Sequence, residues 1–170
     1  MEIRFAVLTL DPVGELWAGW TDQGLCWLVP NPDEATFRSQ IAKRYPRAEL
    51  VEDEAGGARW AADLTAWLAG TVADLLVDYR GLTPFERKVL TACRSIPRGE
   101  VRSYGELAQM IGQPTASRAV GGVMARNPIP LLLPCHRVVQ TGGKLGHYGL
   151  GGTPVKERLL ELEGALPPRR

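Results

Sequence analysis

The eleven residues Ile129-Pro130-Leu131-Leu132-Leu133-Pro134-Cys135-His136-Arg137-Val138-Val139 constrain this chain most. Six apolar or proline positions lead to a cysteine, and a histidine follows it directly. So unbroken an apolar run has to be buried, and its length and flanks read as a core strand ending at Cys135. A cysteine in such a run is usually a small core hydrophobe. Here, however, it stands beside one of only two histidines, His136 and His147, and is one of only three cysteines, with Cys26 and Cys93. A scarce nucleophile next to a scarce base makes Cys135 a candidate for nucleophilic chemistry.

With 170 residues, 45% of them hydrophobic and 23% charged, the chain has the length and make-up of one globular domain or two small ones. No apolar run reaches the ~18 residues a membrane span needs, and Met1-Glu2-Ile3-Arg4-Phe5 lacks the basic-then-apolar layout of a signal peptide. The expectation is a cytoplasmic protein with no membrane association. Three scattered cysteines suit a reducing compartment and show no Cys-x-x-Cys pairing for structural zinc. The net charge of +1 hides a division. Residues 1–81 carry seven Lys/Arg against thirteen Asp/Glu, net −6, and residues 82–170 carry thirteen against six, net +7. The second half is the part suited to a polyanion.

The pattern predicts an α+β chain: a small N-terminal α/β scaffold domain, 1–79, a linker at 80–82, and a mainly helical C-terminal domain, 83–170. In the first, Ile3, Phe5 and Val7 alternate in a strand over 2–10, and further strands are expected over 16–20, 25–29 and 75–79. Helices are expected from Pro32 to Tyr45 and from Ala58 to Ala69, the latter burying Trp60, Leu64, Trp67 and Leu68. No catalytic constellation stands in this half.

In the second, Thr83-Pro84-Phe85-Glu86 reads as a cap, a first-turn proline and an acid near the positive helix end. Phe85, Val89, Leu90 and Cys93 form the apolar stripe of that helix, which puts Cys93 in the core. Ser103-Tyr104-Gly105-Glu106 has capping-box spacing. Gly112-Gln113-Pro114 breaks that helix, and Thr115 caps a second through Ala119, Val120, Val123 and Met124. The two make a helix-turn-helix whose second member is slim, with Ala and Gly around Arg118, and can approach DNA closely. Residues 140–153 are a glycine-rich loop without a phosphate-loop or dinucleotide fingerprint. A last helix runs from Pro154 to Glu163 with Val155, Leu159, Leu160 and Leu162 inward, followed by a frayed Pro167-Pro168-Arg169-Arg170.

Gly99-Glu100-Val101-Arg102-Ser103-Tyr104, Ser117-Arg118-Ala119-Val120-Gly121-Gly122, Asn127-Pro128-Ile129-Pro130 and Pro134-Cys135-His136-Arg137-Val138 occur in that order with short gaps. From about Thr83 to Gly164 the chain closely resembles the O6-alkylguanine-DNA alkyltransferases, the methylated-DNA–protein-cysteine methyltransferases. The resemblance implies irreversible, single-turnover transfer of an alkyl group from O6 of guanine in double-stranded DNA to Cys135, with O4-alkylthymine a further candidate substrate. It implies that His136 acts through a water as base, that Glu163 orients His136, and that Tyr104 donates a proton to the guanine ring. Arg118 would fill the space of the flipped base, beside DNA contacts at Ser103, Thr115, Ala119 and Gly122. Asn127, Pro130, Met124, Val138, Tyr148 and Gly149 would line the pocket. No cofactor is implied, and a monomer is expected, with cooperative binding along DNA a further option. Human-type members hold zinc in the N-terminal domain, but residues 1–81 have Cys26 and no histidine, so no metal is expected.

An unperturbed thiol of pKa ~8.5 is only roughly 7% ionised at about pH 7.4, so full ionisation gains about fourteen-fold. Alignment and stabilisation of the leaving guanine have to supply the rest. Two other readings are a non-catalytic alkylated-DNA-binding module, which Cys135 opposes, and a methylation-sensing regulator, which would need further domains. A cysteine hydrolase is disfavoured, because its partners normally meet from distant positions.

Overall fold

The computed structural model describes residues 1–30, 33–72 and 74–166, and divides into two compact units, Met1–Gly81 and Leu82–Arg170. The expected helix start at Pro32 and the expected tail at 167–170 lie outside the described residues.

In the first unit β1 (Glu2–Leu10), β2 (Gly14–Thr21) and β3 (Gly24–Val29) form an antiparallel meander, and β4 (Glu49–Glu52) adds parallel to β1, in the order β3-β2-β1-β4. Helix α1 (Glu34–Arg44) starts at Asp33, whose carboxylate accepts from Thr36 N. Phe37 and Ile41 of α1 pack with Ile3 and Phe5 of β1, the Phe5 and Phe37 rings lying 5.0 Å apart. Val7, expected in the core by alternation, is 45% exposed, while Ala6, Leu8 and Leu10 bury the opposite face. Strand β4 went unforeseen because Glu-Leu-Val-Glu offers only two apolar positions.

Helix α2 (Glu54–Leu68) begins four residues before the expected Ala58. Asp53 caps it, accepting from Gly56 N at 2.8 Å. Gly56 and Gly57 let the helix lie against the sheet: a Cβ on Gly57 would collide with that of Ala6. Leu64 and Leu68 are buried, whereas Trp60 and Trp67 are half-buried. The expected strand at 75–79 is a single parallel bridge, Leu25 to Val77. Its two ladder bonds are Leu25 N to Leu76 O and Asp78 N to Leu25 O, both 2.9 Å, and the Asp78 carboxylate takes hydrogen bonds from Thr21 Oγ1 at 2.6 Å and Arg80 NH2 at 2.6 Å.

The second unit opens with α3 (Pro84–Arg94), capped by the reciprocal Thr83–Glu86 box. Val89, Leu90 and Cys93 are buried and Phe85 is half-buried. β5 (Arg102–Ser103) leads into α4 (Tyr104–Met110), where Ser103 and Glu106 exchange two hydrogen bonds, the expected capping box. Such a cap is worth about 1 kcal/mol. Helix α5 (Ser117–Ala125) follows a short turn and packs on α3 and α4. Thr115 is not its cap: Ala116 holds that place with no side-chain bond, and Thr115 sits exposed in the turn. Helix α6 (Gly152–Leu162) closes the unit, starting at Gly151 with φ 98°, a left-handed position that suits glycine. Its buried residues are Lys156, Leu159 and Leu160, while Leu162, expected inward, is 41% exposed.

Candidate active site

The run that was expected to form a strand is a buried, knotted turn. Prolines at 128, 130 and 134 remove three ladder donors, which a central strand cannot tolerate. The Asn127 carboxamide supplies the missing bonds: Nδ2 donates to Leu133 O at 2.8 Å and Oδ1 accepts from Ile129 N at 3.0 Å. Leu133 N also donates to Ile129 O at 3.0 Å. Leu131 takes φ 75°, a conformation that only a fixed turn imposes on leucine. Every residue from Asn127 to Val139 is buried.

This turn delivers Cys135 into a three-residue 3-10 helix, Cys135–Arg137, and then into β6 (Val138–Val139), which pairs parallel with β5. With three residues per turn, successive side chains point in different directions. Cys135 is 9% exposed. His136 and Arg137 both reach Glu163, the residue that caps the C-terminus of α6 rather than lying within it. His136 Nε2 stands 2.9 Å from Glu163 Oε1. Arg137 grips the same carboxylate through Nε to Oε2 at 2.9 Å and NH2 to Oε1 at 2.8 Å.

The charge states follow from these contacts. The hydrogen bonds from His136 and Arg137 outweigh burial and hold the Glu163 carboxyl down at about 2. Burial is the largest influence on His136 and lowers its pKa, so the imidazole is neutral. A carboxylate at Nε2 fixes the proton there. Nδ1 is then an acceptor, and it is buried with no partner among the described residues. Burial raises the Cys135 thiol, opposed by the Asn127 side chain, the Lys156 charge and the backbone N–H groups of 135 and 136. Cys135 therefore rests as a thiol. Burial raises Tyr104 as well, so its phenol keeps its proton.

Of the remaining expected pocket residues, Met124, Pro130, Val138 and Tyr148 are buried and Gly149 is exposed. The Tyr148 ring meets His136 edge-on at 6.4 Å. Arg118 and Ala119 are exposed on α5, Gly122 on the same helix is half-buried, and Ser103 is engaged as the α4 cap. Two residues went unforeseen. Lys156 is 1% exposed, its Nζ donating to Val138 O at 2.6 Å and Leu145 O at 2.7 Å, which ties the glycine-rich loop to β6. Its place three and four residues before Leu159 and Leu160, on the apolar face, was the available signal. Arg137 is the other, and only its adjacency to His136 hinted at it. Among the described residues no group of three or more His, Cys, Asp or Glu is placed to hold a metal ion, and no helix is long and apolar enough to cross a membrane.

Cys135 is thus buried in the same unit as α4 and α5, adjacent in sequence to a histidine whose Nε2 meets a buried carboxylate. Residues 84–165 match the family model for the DNA-binding domain of 6-O-methylguanine DNA methyltransferase. The methylated-DNA–protein-cysteine methyltransferase of Methanosarcina acetivorans is 44% identical over 157 residues, 91% of this chain and 95% of that protein. That of Mycolicibacterium paratuberculosis is 47% identical over 118 residues, 69% of this chain and 67% of that protein. The crystal structure of Mycobacterium tuberculosis OGT in complex with DNA superimposes with a TM-score of 0.74 at 36% identity, covering 97% of this chain and 94% of that one. The chain belongs to the methylated-DNA–protein-cysteine methyltransferase family.

Proposed function

We propose that this chain repairs DNA by direct reversal, moving the alkyl group of O6-alkylguanine onto Cys135 in a single irreversible step. The observation that carries the reading is the Cys135–His136–Glu163 constellation, built into the same unit as α4 and α5. As the base enters, the Cys135 proton passes to His136 Nδ1, through a water where the two do not touch. Sulfur then forms its bond to the alkyl carbon as the carbon–O6 bond breaks, and that electron pair goes to the guanine. Tyr104 supplies the proton the guanine ring takes up and recovers one from the relay, so the net exchange is a thiol proton for an alkyl group. The S–C bond of the resulting thioether is not cleaved in this scheme to restore the thiol, so each chain acts once. The turn at 127–134 and the Lys156 strap hold the thiol and the loop wall in register, the alignment on which most of the rate depends. A cytoplasmic setting suits three cysteines that are free thiols.

Mixing the protein with a duplex carrying one O6-methylguanine tests the function. The expected result is one restored guanine per chain and no turnover with excess duplex. Continued turnover, or binding without repair, would favour a hydrolase or a binding module.

Arg118 is assigned the place of the extruded base. Arg118→Ala is expected to slow repair of duplex DNA at least about tenfold, since flipping costs a few kcal/mol. Reaction with free O6-benzylguanine, which needs no flipping, should stay within about twofold. Equal losses on the two substrates would place Arg118 in the pocket instead.

The +7 second half assigns DNA affinity mainly to phosphate contacts. Log affinity should fall with log salt at roughly −0.9 per phosphate neutralised, and should vary little with the sequence flanking the lesion. A salt-insensitive affinity, or a strong preference for one flanking sequence, would point to a regulator.

A further inference from the structure

Glu163 is more heavily engaged than an orienting carboxylate needs to be. Its Oε1 takes His136 Nε2 at 2.9 Å and Arg137 NH2 at 2.8 Å, and its Oε2 takes Arg137 Nε at 2.9 Å. The guanidinium continues to Ile96 O at 2.7 Å, in the turn after α3. The side chains of His136, Glu163 and Arg137 are 0%, 3% and 7% exposed. Carboxylate, imidazole and guanidinium are thus shut together away from water, where one unit of charge governs the protonation of its neighbours.

We propose that Arg137 is a positioning residue for the transfer: by sharing Glu163 with His136 it keeps the imidazole neutral, with Nδ1 free to accept a proton. The proposal rests on the reading of His136 as base. A buried carboxylate facing an imidazole alone would draw a proton onto the ring and form an ion pair, which blocks Nδ1 as an acceptor. With Arg137 present, the charge of Glu163 is already balanced, and a protonated ring would stand beside a guanidinium. The other groups facing His136 agree in sign. Lys156 on α6 opposes protonation, as does Arg137, and only Glu163 favours it. The thiol of Cys135 and the phenol of Tyr148 are both raised by burial and stay uncharged. Lysine is no substitute, because its compact ammonium cannot span both oxygens of Glu163 and Ile96 O together.

The chain has only two histidines, so nitrogen-15 histidine labelling reads His136 directly, with the His147→Gln spectrum assigning the signals. In the wild-type protein His136 should stay in the neutral Nε2–H form to below the usual imidazole titration range. In Arg137→Lys and Arg137→Gln the protonation midpoint should rise by about one pH unit or more. The acid limb of the rate with free O6-benzylguanine should rise by the same amount. A purely structural arginine would lower the melting temperature and leave both midpoints where they were, which would overturn the proposal. A wild-type His136 carrying two ring protons at neutral pH would overturn it with no variant at all. If neither O6-benzylguanine nor alkylated DNA alkylates the protein, the function fails instead, while the imidazole midpoint still reports on Arg137.

Discussion

Cys135→Ser is expected to leave a protein that binds alkylated duplex DNA as well as the wild type does and transfers nothing measurable. Oxygen replaces sulfur with little change of shape, so the turn at 127–134 and the exposed face of α5 are undisturbed. The chemistry does not survive. A hydroxyl is a far weaker nucleophile toward an alkyl carbon, and one neutral imidazole cannot make it an alkoxide, so the loss should be on the order of 10⁴-fold or more. No other thiol can take over. Cys93 is fully buried on α3 and its pKa is pushed well above that of an ordinary thiol. Cys26 lies in the other unit with its thiol pushed up to about 12, burial being the main cause. Single-turnover assays with methylated duplex, alongside binding titrations, would check this. Transfer by the serine variant at a wild-type extent would remove Cys135 from its role.

The second large effect belongs to Glu163. Glu163→Gln strips the countercharge from buried Arg137 and the acceptor charge from His136. Removing one partner of a buried ion pair typically costs about 3–5 kcal/mol. At this chain length that is a fall of roughly 10 °C in melting temperature. Its pH dependence identifies the cause. Glu163 ionises at about 2 in the folded protein against about 4.3 in an unfolded chain. A depressed carboxyl contributes stability that is fully present above the unfolded value and lost as pH falls toward the folded one. The gap in melting temperature between wild type and variant should therefore be full at pH 7 and shrink between about pH 5 and 2. Melting curves across that range would show it. A gap that stays constant with pH would mean that the loss comes from packing and not from charge.

Local chemistry was the most legible part of the fold. The Thr83 and Ser103 caps and the stripe Val89, Leu90, Cys93 each announce their element with residues that lie within a turn of one another. Features that depend on what arrives from elsewhere in the chain were hidden. The helix expected from Ala58 left out Gly56-Gly57, whose close approach to β1 shows only in the fold. The apolar run before Cys135 read as a strand because periodicity cannot tell a buried strand from a buried turn, and Asn127 bracing two backbone groups leaves no trace in spacing. The same division runs through the site. Cys135 and His136 stand out as neighbours in sequence, and Glu163, some 27 positions on, entered only through family resemblance. Arg137 and Lys156 were passed over because charged side chains are rarely buried, and their partners are carbonyls and a carboxylate that only the fold brings near.

The central claim is that one particular sulfur ends the reaction carrying the alkyl group. Incubation with an O6-methylguanine duplex, followed by intact-mass measurement and fragmentation of the peptides, reads this directly. The account predicts a single added methyl group per chain, located on Cys135 and stable to excess DNA. Methyl on Cys93 or Cys26, more than one methyl per chain, or an unmodified protein beside repaired DNA would contradict it.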